Sequence, residues 1–307
     1  MNKSPWFAIV NPVSGNGRTK KEWPKIHKLL VENNVNIDYA LTNSPGQATL
    51  LTRQALRDYT QILSVGGDGT LNEVVNGFFE NQQPINPEAS LGILSNGTRG
   101  DFLRSLNLER GIASFLEVLR RERIIPVDCG HVQYLDSLSA LHHRYFLNVA
   151  DVGLGGETVT RVNRHSKFLG GKLSFLFGSL VSILAYKNKR MKCVIDGKVV
   201  VNDRINSIMV ANGRFIGGGM MIAPDANLTD GLFDIIILGD FTTLELLHHL
   251  PKIYQGNHLN VPGVSVHRGK EITIISDPLG LLDLDGEQPG CTPVHFSLIP
   301  RGIRIWT

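Results

Sequence analysis

Short apolar runs alternate with amphipathic segments along the first 125 residues of the chain. The strand-like runs are WFAIV, VNIDYALT, QILSV and SLGIL, and between them EWPKIHKLLVE, ATLLTRQALRDY and LNEVVNGFF repeat their apolar residues at helical spacing. Strands that alternate with helices in this way are typical of a doubly wound parallel sheet. The pattern therefore predicts an α/β domain in this part of the chain.

The pattern changes after Pro126, where strand-like runs dominate. These runs are CVIDGKVVV, INSIMVANG, FDIIILGD, EITIISD, GLLDLDGE and VHFSLIP. The Asp-Gly pair inside the first of them favours a two-residue hairpin turn. We therefore predict two domains: residues 1–126 with the parallel sheet, and residues 127–307 with a mostly antiparallel β structure.

Composition and charge limit the classes of function. The chain has 307 residues, of which 42% are hydrophobic and 19% charged, as expected for a globular protein with a sizeable core. Its net charge of +3 is too small to indicate a nucleic-acid partner. The cysteines are far apart and odd in number, and no apolar stretch reaches the ~18 residues of a spanning helix. We expect a cytoplasmic protein without disulfides.

The segment ILSVGGDGTLNE, residues 62–73, carries the strongest chemical signal. Its glycines let the backbone take positive φ and approach a ligand, and Thr70 can cap the following helix so that its N–H groups face an anion. Asp68 would repel a phosphate there unless a divalent cation offset its charge, which favours Mg²⁺. The alternative is a glycine-rich turn that only joins a strand to a helix.

Two further glycine-bearing loops follow predicted strands, at residues 11–15 after WFAIV and at residues 95–98 after LGIL. In doubly wound sheets, ligands bind beyond the carboxyl ends of the strands. We therefore expect these two loops and residues 66–70 to lie at one edge of the sheet and to form a pocket.

Five motifs in these regions resemble the catalytic family of diacylglycerol kinases, which includes sphingosine and ceramide kinases. The motifs are NPVSGNG at 11–17, GGDGTLNEVVNG at 66–77, NGTRGDFLRSL at 96–106, APDANLTDGLFD at 223–234 and LDGE at 284–287. GGDGT alone also occurs in NAD kinases and some phosphofructokinases, but the five motifs in this order are a strong match. The resemblance implies a nucleotide-binding α/β domain and then a β-sandwich domain, with the end of the chain returning to the first domain.

The resemblance also implies roles for individual residues. The implied ATP contacts are Asn11, Pro12, Val13, Ser14, Gly15, Thr42, Gly66, Gly67, Asp68, Gly69, Thr70, Leu71, Asn72 and Thr98. A structural Mg²⁺ is implied at Asn227, Asp230 and Leu232, where Asn227 and Leu232 would contribute backbone carbonyls. Without the resemblance, Asp230 would be interpreted as part of an ordinary Asp-Gly turn.

Asp285 and Glu287 flank Gly286 at the end of an apolar strand. Strand alternation would place both carboxylates on one face, where either could accept the proton of an attacking lipid hydroxyl. The alternative from turn chemistry is a polar hairpin without a catalytic role. The resemblance implies that Glu287 is the base, and Asp68 is the remaining catalytic candidate.

One position departs from the family pattern. Gly100 stands where the family usually has Asn, whereas Asp101, Phe102 and Arg104 match. Any hydrogen bond made by that Asn side chain is lost. Arg99 either reaches a phosphate in its place or is a solvated surface arginine.

These motifs together predict an ATP- and Mg²⁺-dependent lipid kinase that converts diacylglycerol to phosphatidic acid. A kinase of sphingoid or ceramide-type lipids is the second hypothesis. An NAD-kinase-like enzyme and a lipid- and nucleotide-binding protein without catalysis are the alternatives from other classes. The motif NGTRGDFLRSL counts against the former, and the presence of Asp68 and Glu287 counts against the latter.

A membrane lipid substrate requires contact with a membrane surface. From Arg161 to Lys192 the chain has eight Lys or Arg and no Asp or Glu, around the apolar run LSFLFGSLVSILAY at 173–186. Basic flanks of this kind favour peripheral binding to the anionic inner face of the membrane. The alternative is a core helix with solvated ends, and a homodimer is left open as the assembly.

Overall fold

The computed structural model describes residues 4–97, 100–165 and 184–307, and includes the side chains of all of these except 162–165. The described chain forms two compact units. The first unit comprises Met1–Cys129, Leu228–Asp230 and Ile299–Thr307, and the second comprises Gly130–Asn227 and Gly231–Leu298. Each unit therefore gathers residues from separate parts of the chain.

The first unit is built on a parallel sheet. The strands of this unit are β1 (Trp6–Val10), β2 (Ile37–Leu41), β3 (Gln61–Gly66), β4 (Phe79–Glu80), β5 (Gln83–Pro84) and β6 (Ser90–Ser95), of which β4 and β5 form a separate antiparallel pair. Its helices are α1 (Arg18–Glu32), α2 (Gln47–Ala55), α3 (Asp68–Phe78), α4 (Asp101–Ser105) and α5 (Ile112–Arg121). The strands run in the order β6-β3-β1-β2, all parallel, which confirms the predicted fold class.

The end of the chain adds a fifth parallel strand to this sheet. In β19 (Glu287–Trp306), Arg304 pairs with Ser90 of β6. The indole Nε1 of Trp306 donates a hydrogen bond of 2.9 Å to Ser90 Oγ, and its ring centroid lies 5.3 Å from that of Trp6. The last residues are thus fixed to the first unit by backbone and aromatic contacts.

The helix α1 covers one face of the sheet through Trp23, Ile26 and Leu30, which join the β1 and β3 side chains in one buried cluster. This spacing is the helical period that predicted the helix. The helices α2 and α3 pack on β1 and β3 and on each other. Gly77 of α3 permits that approach, because a Cβ there would lie 2.7 Å from the carbonyl oxygen of Thr49.

The second unit is mostly antiparallel β structure. Its strands are the second half of β7 (Ile124–Leu135), β8 (Leu141–Phe146), β9 (Val149–Gly153), β10 (Lys189–Ile195), β11 (Lys198–Ile205), β12 (Ser207–Ala211), β13 (Phe215–Ile216), β14 (Met220–Met221), β15 (Phe233–Leu238), β16 (Val264–Gly269), β17 (Glu271–Asp277), β18 (Leu281–Leu284) and most of β19. Its described helices are α6 (Leu154–His165), α7 (Thr243–Tyr254) and a 3-10 turn (Asn257–Asn260).

One hydrophobic core joins the strands of this unit. It contains side chains from β7, β8, β9, β10, β11, β12, β15, β17, β18 and β19. Alternate residues of β9 show how it is built, since Ala150 and Val152 enter the core and Asp151 faces away. Antiparallel strands that share one core confirm the predicted β-rich second domain.

The local turns follow the sequence signals in part. Asp196 and Gly197 take φ of 47° and 78° between β10 and β11, which confirms the predicted two-residue hairpin. The apolar run 173–186, apart from its last three residues, lies outside the described residues, so the predicted membrane segment is not described. Within the described ranges, no helix is both long enough and apolar enough to cross a bilayer.

Candidate active site

Three loops of the first unit meet at the carboxyl edge of its parallel sheet. Residues 11–17 follow β1, Gly67 joins β3 to the start of α3, and Asn96 and Gly97 follow β6. A Cβ on Gly97 would lie 2.8 Å from the Cα of Gly67, and a Cβ on Gly15 would lie 2.8 Å from the carbonyl oxygen of Asn96. Only glycine fits at these contacts, because any side chain would force the loops apart.

Gly66 and Gly67 of the GGDGT segment lie in close contacts, and none of its three glycines has positive φ. Gly66, Gly67 and Gly69 are not among the positive-φ residues, and Gly67 has φ −107°. The predicted positive φ was therefore wrong for this segment. Gly66 instead makes room for Thr70, whose Oγ1 would collide with any Cβ on Gly66.

Thr70 does not cap the helix, so this prediction was also wrong. The helix α3 begins at Asp68, and its N-cap residue is Gly67, which has no side-chain cap. Thr70 lies inside the first turn, where its Oγ1 accepts a hydrogen bond of 2.9 Å from Asn11 Nδ2. The first N–H groups of an 11-residue helix therefore lack a side-chain cap and can bind an anion.

Asp68 is tied to the neighbouring loop. Its Oδ2 accepts a hydrogen bond of 3.1 Å from the backbone N–H of Gly100. Gly100 takes φ +69°, in the left-handed region, immediately before α4. Asn is the non-glycine residue that adopts this region most readily, so an asparagine at position 100 could take the same backbone conformation.

The other predicted nucleotide contacts lie along the same edge. Asn11 donates its backbone N–H to Val65 O, and its Oδ1 accepts from the backbone N–H of Val13 at 3.1 Å. Thr42 is buried at the end of β2, with its N–H bonded to Val10 O. Pro12, Ser14, Leu71 and Asn72 belong to the same loops and helix, whereas Thr98 lies outside the described residues.

Asn96 is a polar residue of this edge that the sequence interpretation passed over. Its side chain is only 4% exposed, and its Nδ2 has no hydrogen-bond partner among the described residues. A buried amide donor without a partner is uncommon, and this one lies in a loop that follows a parallel strand. Its position between Ser95 and Gly97 was the signal that could have identified it.

The acidic motif of the second unit is a tight hairpin. The strand β18 ends at Leu284, which pairs with Glu287, and Asp285 and Gly286 form the turn with φ of 51° and 89°. Strand alternation does not continue through such a turn. The prediction that Asp285 and Glu287 share a face by alternation was therefore wrong.

The three carboxylates of this hairpin have different partners. Asp283 Oδ1 accepts from the N–H of Gly286 at 2.8 Å, and Asp285 Oδ1 accepts from the N–H of Val149 at 3.2 Å. Glu287 Oε2 instead accepts from Arg144 Nη1 at 2.7 Å, and its side chain is 39% exposed. Glu287 therefore differs from the two aspartates in having a side-chain partner, and its role as the base stays a prediction.

Asp283 also lies opposite a second buried carboxylate, Asp151 of β9. Asp151 accepts hydrogen bonds from Ser207 Oγ at 2.9 Å and from the N–H of Gly155 at 2.9 Å. Burial nevertheless raises the pKa of Asp151 to about 7, because desolvation outweighs these bonds. The opposed positions of Asp151 and Asp283 could not be predicted, because the register of β9 and β18 cannot be read from residue patterns.

The predicted Mg²⁺ loop lies between β14 and β15. It offers the carboxylate of Asp230, which is exposed, and the backbone carbonyls of Asn227 and Leu232, and Gly231 turns the chain with φ +77°. Oxygen donors of this type fit a hard cation. In the part of the chain that is described, no three His, Cys, Asp or Glu side chains form a metal-binding group. A site made of one carboxylate and two carbonyls is of another type, and it stays a prediction.

Comparison with known proteins agrees with this geometry. The model of the diacylglycerol kinase catalytic domain matches residues 5–132, and that of the YegS C-terminal NAD kinase beta sandwich-like domain matches residues 148–307. The two matches cover both units and identify the chain as a kinase of this type.

Individual relatives agree along nearly the whole chain. A diacylglycerol kinase of Staphylococcus haemolyticus is 31% identical over 300 residues, covering 97% of this chain and 87% of the relative. That of Staphylococcus carnosus is 29% identical, covering 97% and 94%. A crystal structure of a candidate diacylglycerol kinase from Bacillus anthracis superposes with a TM-score of 0.77 at 25% identity, covering 100% and 98%.

The chain therefore belongs to the diacylglycerol kinase family of lipid kinases. This confirms the family, fold class and enzyme class predicted from the five motifs. Membership of a kinase family implies ATP as the phosphoryl donor.

Proposed function

We propose that this kinase transfers the γ-phosphoryl group of ATP to the hydroxyl of diacylglycerol and yields phosphatidic acid, with Mg²⁺ as cofactor. The observation that carries the proposal is the similarity to diacylglycerol kinases over 97% of the chain, at 29% and 31% identity. That similarity includes both the loop edge of the first unit and the acidic hairpin of the second.

The proposed phosphate-binding group is the start of α3. Its uncapped N–H groups favour the negative charge of a phosphate, and the close contact of the three loops keeps side chains out of that edge. Asp68 is the residue that would hold Mg²⁺ there, directly or through water. A bound Mg²⁺ would neutralise charge that develops on the transferring phosphoryl group.

Glu287 is the proposed general base. Its side chain is 39% exposed and pairs with another side chain, whereas Asp283 and Asp285 accept bonds from backbone N–H groups. A carboxylate within reach of an alcohol can accept its proton as the oxygen attacks phosphorus. Asp285 has the structural role of fixing the turn to β9.

The direct test is a substrate screen. The purified protein is incubated with γ-labelled ATP, Mg²⁺ and vesicles that contain diacylglycerol, ceramide or sphingosine, and with NAD in a separate tube; the labelled product is then identified. We expect label in phosphatidic acid, and none without Mg²⁺. If the label appears instead in ceramide phosphate, in sphingosine phosphate or in NADP, then ceramide, sphingosine or NAD is the substrate and diacylglycerol is rejected.

For the membrane surface, we propose that exposed basic residues near β10 contact anionic lipid headgroups on the cytoplasmic side. Lys187, Arg190 and Lys192 are exposed. Lys189 is held inside the unit, because its Nζ lies 2.7 Å from Leu279 O and 3.4 Å from Glu157 Oε1. The docking cations are thus a subset of the basic segment that the sequence indicated.

A triple change of Lys187, Arg190 and Lys192 to Gln tests this surface. It should weaken binding to phosphatidylglycerol vesicles at low salt, since each cation near the surface contributes ~1 kcal/mol. The matched control changes three exposed lysines of α1, Lys21, Lys25 and Lys28, to Gln. Equal losses in both triple variants would show that only net charge matters and would reject the surface.

A further inference from the structure

Arg144 of β8 forms a short ion pair with the proposed base. Its Nη1 lies 2.7 Å from Glu287 Oε2, at the short end of the range for charge-assisted hydrogen bonds. The two side chains are 31% and 39% exposed, so the pair is shielded from water more than a pair at the open surface. These residues are 143 positions apart in the chain, and the fold alone brings them together.

Three strands fix the geometry of this pair. Arg144 faces Val132 of β7 in register, and Tyr134 follows on the same strand. Gly290, soon after Glu287 on β19, has no side chain because a Cβ there would collide with the ring of Tyr134. Both members of the pair therefore stand on strands that are packed against one buried aromatic residue. Groups carried on rigid elements are held more precisely than groups on loops.

The charges that act on Tyr134 agree with the pairing of Arg144 and Glu287. Burial is the main cause that raises the pKa of Tyr134, the positive charge of Arg144 opposes it, and the negative charges of Asp136 and Glu287 add to it. Asp136 is occupied by its own turn, since it accepts from the N–H groups of Leu138 and Ala140 and pairs with His142.

We propose that Arg144 is a positioning residue: it holds Oε2 of Glu287 so that Oε1 is turned toward the lipid hydroxyl. The inference rests on the proposed function. In the transfer, the hydroxyl O–H bond breaks and its proton goes to Glu287. The hydroxyl oxygen forms the new bond to the γ-phosphorus as the bond to the bridging oxygen breaks, and ADP leaves with that electron pair.

The choice of arginine has a physical reason. The guanidinium group is planar and holds its N–H donors in fixed directions, so it can fix the position of Oε2, whereas the ammonium of lysine is a point charge on a flexible chain. Orientation of the base matters, because a misplacement of ~1 Å can cost ~10²-fold in rate. Arg144→Lys should thus retain charge but only part of the rate.

A double-mutant cycle tests this role. The variants are Arg144→Gln, Glu287→Gln and the pair together, with kcat and both KM values measured on diacylglycerol in mixed micelles. Arg144→Gln should lower kcat by ~10- to 100-fold with KM for ATP unchanged. In the Glu287→Gln background the same change should lower kcat less than about 2-fold, because there is no base left to position.

The matched control is Arg204→Gln, which removes an exposed ion pair of 3.4 Å with Asp240 in the same unit. It should leave kcat unchanged. Melting temperatures are measured for every variant, and if Arg144→Gln fails to fold, Arg144→Lys takes its place in the cycle.

Each outcome has a separate meaning. Equal losses of kcat in both backgrounds, or no loss at all, overturn the positioning role while the kinase function stands. Full turnover by Glu287→Gln would reject Glu287 as the base and, with it, the positioning role of Arg144. If the wild-type protein phosphorylates no lipid, the proposed function and the inference both fail.

Discussion

The backbone N–H of Gly100 donates a hydrogen bond of 3.1 Å to Oδ2 of Asp68. This bond joins the loop after β6 to the first residue of α3. One carboxylate oxygen of Asp68 is thereby engaged with the protein. The bond depends on a backbone donor, so it persists whether residue 100 is glycine or asparagine.

Asp68→Asn should abolish phosphoryl transfer without unfolding the protein. The amide oxygen of Asn can still accept from Gly100, but the charge proposed to hold Mg²⁺ is lost. We expect kcat to fall by ~10³-fold or more, as for other preorganised charges, with little change in melting temperature. The control is Asp58→Asn, at an exposed position. Near-normal turnover of Asp68→Asn would remove Asp68 from the site.

Gly100→Asn and Gly100→Val should differ sharply. Position 100 has φ +69°, which Asn tolerates and which costs a β-branched residue about 1–2 kcal/mol or more. The Asn variant should keep kcat and the free energy of unfolding, and the Val variant should lose both. Urea unfolding and kinase assays on the two proteins measure this. Equal behaviour of the two variants would contradict the conformational explanation of the departure from the family.

The sequence predicted the parallel sheet and its loop edge because glycines and apolar runs encode local structure. The predictions from sequence were wrong where a contact between distant residues determines the local structure. Thr70 has the residue type of a cap, yet the helix begins at Asp68, and the hydroxyl bonds to Asn11. The Asp-Gly pair at 285–286 indicates a turn, yet the strand alternation of side chains was expected to continue through it. The pairing of Arg144 with Glu287 depends on sheet register, which no local pattern carries.

Glu287→Gln should be far more damaging to kcat than Asp285→Asn. Loss of a general base costs ~10²- to 10⁴-fold, and ATP binding should be almost unchanged because the base acts on the lipid hydroxyl. The Asn oxygen at position 285 can still accept from the N–H of Val149, so that variant should keep most of its turnover. Initial rates at saturating ATP and lipid compare the two. The reverse ranking would assign the base to Asp285.

Asp230→Ala should remove Mg²⁺-dependent stability. Asp230 is the charged ligand of the proposed structural site, and a ligand that binds only the folded state raises the melting temperature. The wild-type melting temperature should therefore rise with added Mg²⁺, and that of the variant should not. Asp225→Ala, at another exposed carboxylate of the same loop, is the control and should behave as wild type. Unchanged Mg²⁺ stabilisation in Asp230→Ala would reject the site.

The buried carboxylate of Asp151 should make the protein less stable as pH rises. Burial raises the pKa of Asp151 to about 7, whereas a free aspartate titrates near pH 4. Below about pH 4 the group is protonated in both states and has no effect. Between about pH 4 and 7 only the unfolded chain ionises, so the free energy of unfolding falls, and above about pH 7 the loss is complete.

Asp151→Asn removes this titration, because the amide stays neutral and its oxygen can still accept from Ser207 and Gly155. The variant should gain on the wild type as pH rises from 5 to 8, by on the order of 2–4 kcal/mol at most. Urea unfolding at both pH values measures the difference, with the exposed Asp203→Asn as control. If Asp151→Asn and the wild type change in parallel with pH, the carboxylate of Asp151 is already ionised in the folded protein, which would contradict its raised pKa.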